Sequence, residues 1–119
     1  MGARRPRCRL ALVTMTAEEM IAKAAEILAR EAGPHAKVIL FGSHARGSAS
    51  AGSDLDFLVI EPKVEGRHSE MVRLRRSLRG INAPIDVLVY SEDEARAWGR
   101  VPGTAIYDAL QEGRVFPGA

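Results

Sequence analysis

Apolar and polar positions along this chain switch between a helical and a strand-like period, and the switches mark its elements. From Thr16 onward apolar residues recur at Met20, Ile21, Ala24, Ala25, Ile27 and Leu28, which places them on one face of a helix. Thr16 and Glu19 form a capping box at its start, and Gly33-Pro34 stops it. Residues 38–41 have the length and composition of a short buried strand. Residues 42–53 are rich in Gly, Ser and Ala and predict no long regular element. A second strand is expected over 54–60, ended by Pro62. The helical spacing returns over 70–78 through Met71, Leu74 and Leu78. Residues 80–84 read as a turn and 85–90 as a third strand. Ser91 and Glu94 make a second capping box, opening a short helix to about Trp98. After a break at 101–103, residues 105–110 predict a last helix with Gly113 as its stop, and Val115-Phe116 add a short edge strand.

Three short apolar strands set among helices predict an α+β fold, a small mixed β-sheet with helices packed on it. The 119 residues amount to one domain, able to bury roughly two-thirds of its unfolded surface. Residues 1–14 read as a poorly ordered leader and 15–117 as the domain, with Met15 the expected natural start. Charge supports that division. The chain has 17 basic and 15 acidic residues, but Arg4, Arg5, Arg7 and Arg9 all lie in the leader. The basic balance is thus a tail feature, not a stripe on the fold, and nucleic acid is not an expected partner. The single cysteine, Cys8, excludes an intramolecular disulfide and is compatible with a reducing compartment. No apolar run approaches the roughly 20 residues of a membrane span, so no membrane association is expected and the location is read as cytoplasmic.

The chemistry concentrates in Gly42-Ser43-His44-Ala45-Arg46-Gly47 and the following Ser53-Asp54-Leu55-Asp56. Alternate strand residues share a face, so Asp54 and Asp56 project together. Paired carboxylates repel unless a cation lies between them, and hard oxygen donors suit Mg²⁺. Two such ions roughly 4 Å apart stabilise both the attacking and the leaving oxygens in a displacement at phosphorus. Asp86 enters an otherwise apolar third strand. If that strand neighbours the second, Asp86 reaches the same metals and could accept a proton from an attacking hydroxyl. Gly42 allows close approach of the backbone, and the Ser43 hydroxyl and nearby amides suit triphosphate oxygens. Arg46 has two roles open to it, a charge-assisted phosphate contact or a pair with a surface acid.

The run GSHARGSASAGSDLDFLV, residues 42–59, resembles the signature of the polymerase-β-like nucleotidyltransferase superfamily, a Gly-Ser pair followed at a short spacing by Asp-x-Asp. It is similar in particular to the minimal nucleotidyltransferases of bacteria and archaea, where Ala-Arg-Gly follows the Gly-Ser pair. The resemblance extends over about residues 35 to 116 and includes the closing Glu112-Gly113-Arg114-Val115. It implies that Gly42 and Ser43 contact the triphosphate, that Asp54 and Asp56 hold metal, and that Asp86 is the third-strand carboxylate. It further implies two Mg²⁺ ions, ATP as donor, and a role as the antitoxin of a pair with a HEPN-type toxin, to whose tyrosine AMP is transferred.

Two rival readings stand beside this one. The domain could neutralise a partner by contact without catalysis, or it could modify a small-molecule hydroxyl. Larger relatives hold the acceptor on an extra helical domain, so here the acceptor surface is expected from a partner. The other candidates read more plainly. His44 is a variable loop residue rather than a base, and His35 and His68 are solvated. Arg73, Arg75, Arg76 and Arg79 form a solvated helix face. Trp98 and Tyr107 fit either the core or a partner surface.

Overall fold

The computed structural model describes residues 15–49 and 53–117. The expected leader, residues 1–14, lies outside them. Helix α1, Ala17–Ala32, opens on the expected capping box. The Glu19 amide donates to Thr16 Oγ1 at 3.1 Å, and the Thr16 amide donates to Glu19 Oε1 at 2.8 Å. Its buried face is Ile21, Ala24, Ala25, Leu28 and Ala29, the helical stripe read from the sequence. Strand β1, Lys37–Phe41, follows, and then the four-residue helix α2, Ser43–Arg46. Strand β2 is Leu55–Glu61 and helix α3 is Arg67–Ser77. Strand β3, Ile85–Ser91, leads through the Ser91–Glu94 capping box into α4, Glu92–Trp98. Helix α5, Ala105–Glu112, and strand β4, Arg114–Pro117, close the fold.

The four strands lie in the order β3-β2-β1-β4. β1 runs antiparallel to β2 and to β4, while β2 and β3 are parallel, joined across α3. The sheet is therefore mixed and the fold α+β. Each face has its own cover. Val38, Leu40, Leu55, Phe57, Val59, Val87 and Val89 meet α1 and α3, with Leu74 and Leu78 filling the gap. Ile39, Leu58 and Ile60 meet Ile106 and Ala109 of α5 on the other face. Burial on both faces explains why β2 is almost continuously apolar.

Several details differ from the sequence expectation. β2 begins at Leu55, so Asp54 stands just before the strand. α3 starts three residues before the expected Glu70, and its first residue, Arg67, is anchored by tertiary contacts. The Arg67 Nε donates to the Val89 carbonyl at 3.0 Å, and its guanidinium pairs with Glu94 and stacks over Tyr90. Gly113 does end α5, but with extended backbone rather than a left-handed cap. A Cβ there would lie 2.3 Å from the Ala109 carbonyl oxygen and 2.3 Å from Ile39 Cγ2, so close packing is what demands glycine. Trp98 is 52% exposed and lies outside the core, whereas Tyr107 is half-buried.

Candidate active site

The sheet delivers the candidate residues to one end. Asp56, the second residue of β2, pairs in register with Phe41 of β1 on one side and with Asp86 of β3 on the other. Gly42 directly follows Phe41. Gly42, Asp56 and Asp86 thus form a row across three adjacent strands, with Asp54 two residues before Asp56 on the chain. Asp54 is exposed and Asp56 half-buried. Burial raises the Asp56 pKa above its ordinary value. The negative charges of Asp86 and then Asp54 raise it further, against a smaller opposing pull from His44 and Arg46. A group of carboxylates that repel one another at the start of two parallel strands calls for a cationic partner.

The backbone at Gly42 has φ 80 and ψ −157, a region essentially restricted to glycine. Its neighbour supplies a second requirement. A Cβ at Gly42 would lie 2.4 Å from Asp56 Oδ2, so only a bare backbone can pass this close to the carboxylate. The chain then turns through α2, where the Ala45 and Arg46 amides both donate to the Gly42 carbonyl at 3.1 Å. No side chain caps the first turn. Its leading amides are therefore available to an anion. Gly47, at φ 78, reverses the chain out of this turn.

His44 has a part that the sequence did not signal. Its Nε2 hydrogen-bonds with the Ser53 carbonyl at 3.2 Å, holding the residue before Asp54 against α2. Arg46 pairs with Glu112 at 3.5 Å, which realises the surface-pair alternative, while its charge still reaches Asp56. Arg75 of α3 was read as solvated, but its Nη2 lies 3.6 Å from Asp86 Oδ1. Arg73 is likewise engaged, pairing with Glu70 at 2.7 Å and Glu31 at 3.2 Å. Glu70 and Arg73 are three apart on one helix, whereas the pairings with Asp86 and Glu31 have no local signature, because those partners meet only through the packing of α3 on the sheet and on α1.

Among the described residues, no group of three or more His, Cys, Asp or Glu side chains is arranged to hold a metal ion by itself. The donor set nonetheless fits Mg²⁺. That ion typically takes one or two carboxylates and completes its octahedron with water and substrate phosphates rather than with a full protein cage. Asp56 and Asp86, paired in register beside the Gly42 turn, could supply such a partial shell of hard oxygens, with Asp54 just before the strand.

Other concavities lack this chemistry. A groove at the opposite end of β1 and β2 is lined by His35, Lys37, Ile60, Glu92, Ala95, Arg96 and Leu110. It contains one carboxylate and no glycine-framed turn. Glu61, at the far end of β2, is only 7% exposed, and its Oε2 has no hydrogen-bond partner among the described residues.

Comparison with known proteins bears on the fold and on the family. The family model for the nucleotidyltransferase domain matches residues 21–114. No curated protein matches the chain. Among solved structures, a chain from a crystal structure of a toxin–antitoxin with AMP-PNP is 20% identical. It superposes with a TM-score of 0.51, and the match covers 87% of this chain and 75% of that one. At that identity the likeness is one of fold. No helix among the described residues is long and apolar enough to cross a membrane. The family match takes in β1, β2 and β3, along with the whole carboxylate row, and reaches the first residue of β4, and the protein therefore belongs to the nucleotidyltransferase domain family.

Proposed function

We propose that the protein is a Mg²⁺-dependent enzyme that moves a nucleoside monophosphate, AMP from ATP, onto an acceptor hydroxyl. The observation that carries this reading is the row of Gly42, Asp56 and Asp86 at the ends of three neighbouring strands, with Gly42 so near the Asp56 carboxylate that a Cβ would not fit between them. The triphosphate lies over Gly42 and Ser43, where the Ser43 hydroxyl and the leading amides of α2 donate to its oxygens. Arg46 leaves Glu112 to add a charge-assisted contact. Asp54, Asp56 and Asp86 are the residues that would hold two Mg²⁺ ions, which when bound neutralise charge on the triphosphate and stabilise the entering and leaving oxygens. Asp86 accepts the proton of the acceptor hydroxyl as its oxygen bonds to the α-phosphorus and pyrophosphate leaves. Positioning and charge neutralisation account for most of the acceleration.

We infer a role as an antitoxin in the cytoplasm, in keeping with the fold likeness to a chain from a toxin–antitoxin structure. Its acceptor is then a tyrosine of a HEPN-type toxin partner. The test mixes the protein with Mg²⁺, α-labelled ATP and the product of the neighbouring reading frame. Label on that product, lost in Asp54→Asn and Asp56→Asn, is the expected result. A second reading, neutralisation by contact alone, is favoured by the exposure of Trp98, Val101 and Leu110 around α4 and α5. Full neutralisation by the two Asn variants would decide for it.

A further inference from the structure

The strand order gives the site a direction. The glycine turn and α2 leave from β1, Asp56 sits on β2 with Asp54 just before that strand, and Asp86 lies on β3 beyond them. Displacement at phosphorus brings the attacking and leaving oxygens roughly into line. With the triphosphate on the β1 side, the acceptor must arrive over β3. The surface it meets there is the C-terminal end of α3. Leu74 and Leu78 of that segment turn into the core, which leaves Arg75 and Arg79, four residues apart, on an outward side. The turn carries on past the helix end, with the Arg79 amide donating to the Arg76 carbonyl at 3.2 Å.

These two arginines differ from the others on α3. Arg73 is committed to Glu70 and Glu31, and Arg76 lines a separate groove with His68, Ser69, Val72 and Arg73. Among the described residues Arg79 has no ion-pair partner. Arg75 has only Asp86, at 3.6 Å with both side chains more than half exposed, and a pair of that kind is weak and exchanges readily.

We propose that the end of α3 is the acceptor-docking surface and that Arg75 and Arg79 hold an acidic protein segment that carries the accepting hydroxyl. This rests on the nucleotidyltransferase reading above. A protein segment is favoured over nucleic acid because, outside the leader, the chain carries 13 basic residues against 15 acidic ones. A small basic spot on a net acidic domain suits a local acidic stretch, whereas a nucleic-acid backbone draws its affinity from many phosphate contacts. Repulsion between the acceptor and the site carboxylates is offset by the two arginines and by the bound cations. In the transfer itself the acceptor O–P bond forms, the bond from the α-phosphorus to the bridging oxygen breaks, pyrophosphate takes the electron pair, and the hydroxyl proton passes to Asp86.

The test uses the full chain with Mg²⁺, α-labelled ATP and three probes, a Glu-Tyr copolymer, a Lys-Tyr copolymer and a single-stranded RNA. The wild type should label the Glu-Tyr polymer with a KM about tenfold below that for Lys-Tyr. Arg75→Glu with Arg79→Glu should invert that preference, Arg79→Gln should narrow it, and Arg76→Glu should leave it unchanged. Equal labelling of both polymers by the wild type overturns the proposal. So does a preference that survives the double charge reversal, or one that Arg79→Gln leaves at its full size, in variants with a native circular dichroism spectrum. Preferential labelling of the single-stranded RNA probe assigns the surface to nucleic acid and also overturns it. Free AMP without label on any probe rejects the docking surface and spares the catalytic reading, whereas no label transfer of any kind, even to water, rejects both.

Discussion

Asp56 and Asp86 stand directly opposite each other in the parallel β2–β3 ladder, two carboxylates brought together by strand register rather than by a shared loop. Like charges facing across a ladder destabilise a sheet. The raised pKa of Asp56 reflects this, with burial the largest cause and Asp86 the next. A carboxyl whose folded pKa lies above its ordinary 3.8 reduces stability once the pH exceeds that value, and the loss is relieved as the pH falls. Asp56→Asn should therefore melt higher than the wild type at pH 7 without divalent cations. Adding MgCl₂ should raise the wild-type midpoint and leave the variant's unmoved. Nucleotidyl transfer should fall by about 10²-fold or more. A variant that melts lower without cations would contradict the strain assigned to this pair.

Gly42→Ala meets two obstacles, the disfavoured backbone region and the contact with Asp56 Oδ2. A loss of about 1–3 kcal/mol is expected, read from urea unfolding, with nucleotide affinity falling further than stability does. Gly47→Ala faces open space and should suffer only the cost of its left-handed backbone. Equal losses of nucleotide affinity at the two positions would remove Gly42 from the site.

Arg46 is held by Glu112 at 3.5 Å. Releasing it should help a ligand that needs it. Glu112→Gln is expected to tighten ATP by up to about fivefold, the scale of an exposed pair, and Arg46→Ala to weaken it. Isothermal titration with a non-hydrolysable ATP analogue measures both. If Arg46→Ala binds as the wild type does, Arg46 serves the surface pair alone.

At the far end of β2, Glu61 and Glu70 titrate in opposite directions. Burial pushes the Glu61 carboxyl up to about 8, helped by its hydrogen bond with Glu70 and by that group's charge. The hydrogen bond from Arg73 holds Glu70 well below the ordinary 4.5. Folding therefore binds a proton at Glu61 between pH 4.5 and about 8, so stability falls as the pH rises through that window. Glu70 stabilises the fold above 4.5, and that contribution fades as the pH falls toward its lowered pKa. The joint contribution of these two groups is therefore greatest near pH 4.5. Glu61→Gln should flatten the alkaline side, measured as thermal midpoints between pH 4.5 and 9. An unchanged slope in the variant would show that Glu61 is not the group responsible.

What could be read from the sequence was local or periodic. Thr16–Glu19 and Ser91–Glu94 are complete in four residues, and the structure forms both boxes as expected. Asp86 could be joined to Asp54 and Asp56 in advance only on condition that the third strand neighbours the second, and it is strand pairing that sets Asp56 and Asp86 in register. Features that depend on distant packing had no such signature. Glu61 looks like the polar end of a strand until α3 covers it. Arg75 joins the site only because a helix end falls beside β3, and Glu112 meets Arg46 across 66 positions of chain. Gly113 was placed correctly as a stop, but its reason, the pressure of Ile39, belongs to the tertiary structure.

The central strand is gripped on both faces, Phe57 and Val59 by one core and Leu58 and Ile60 by the other. The carboxylate row is thus mounted on the stiffest beam of the molecule, at the point where that beam emerges from the packing. Its spacing is inherited from two cores at once, and neither can loosen without the other registering the slack. On heating, such a site should keep its geometry until the whole domain melts. Catalytic activity and native structure would then be lost at one temperature, with no earlier softening of the site to warn of it.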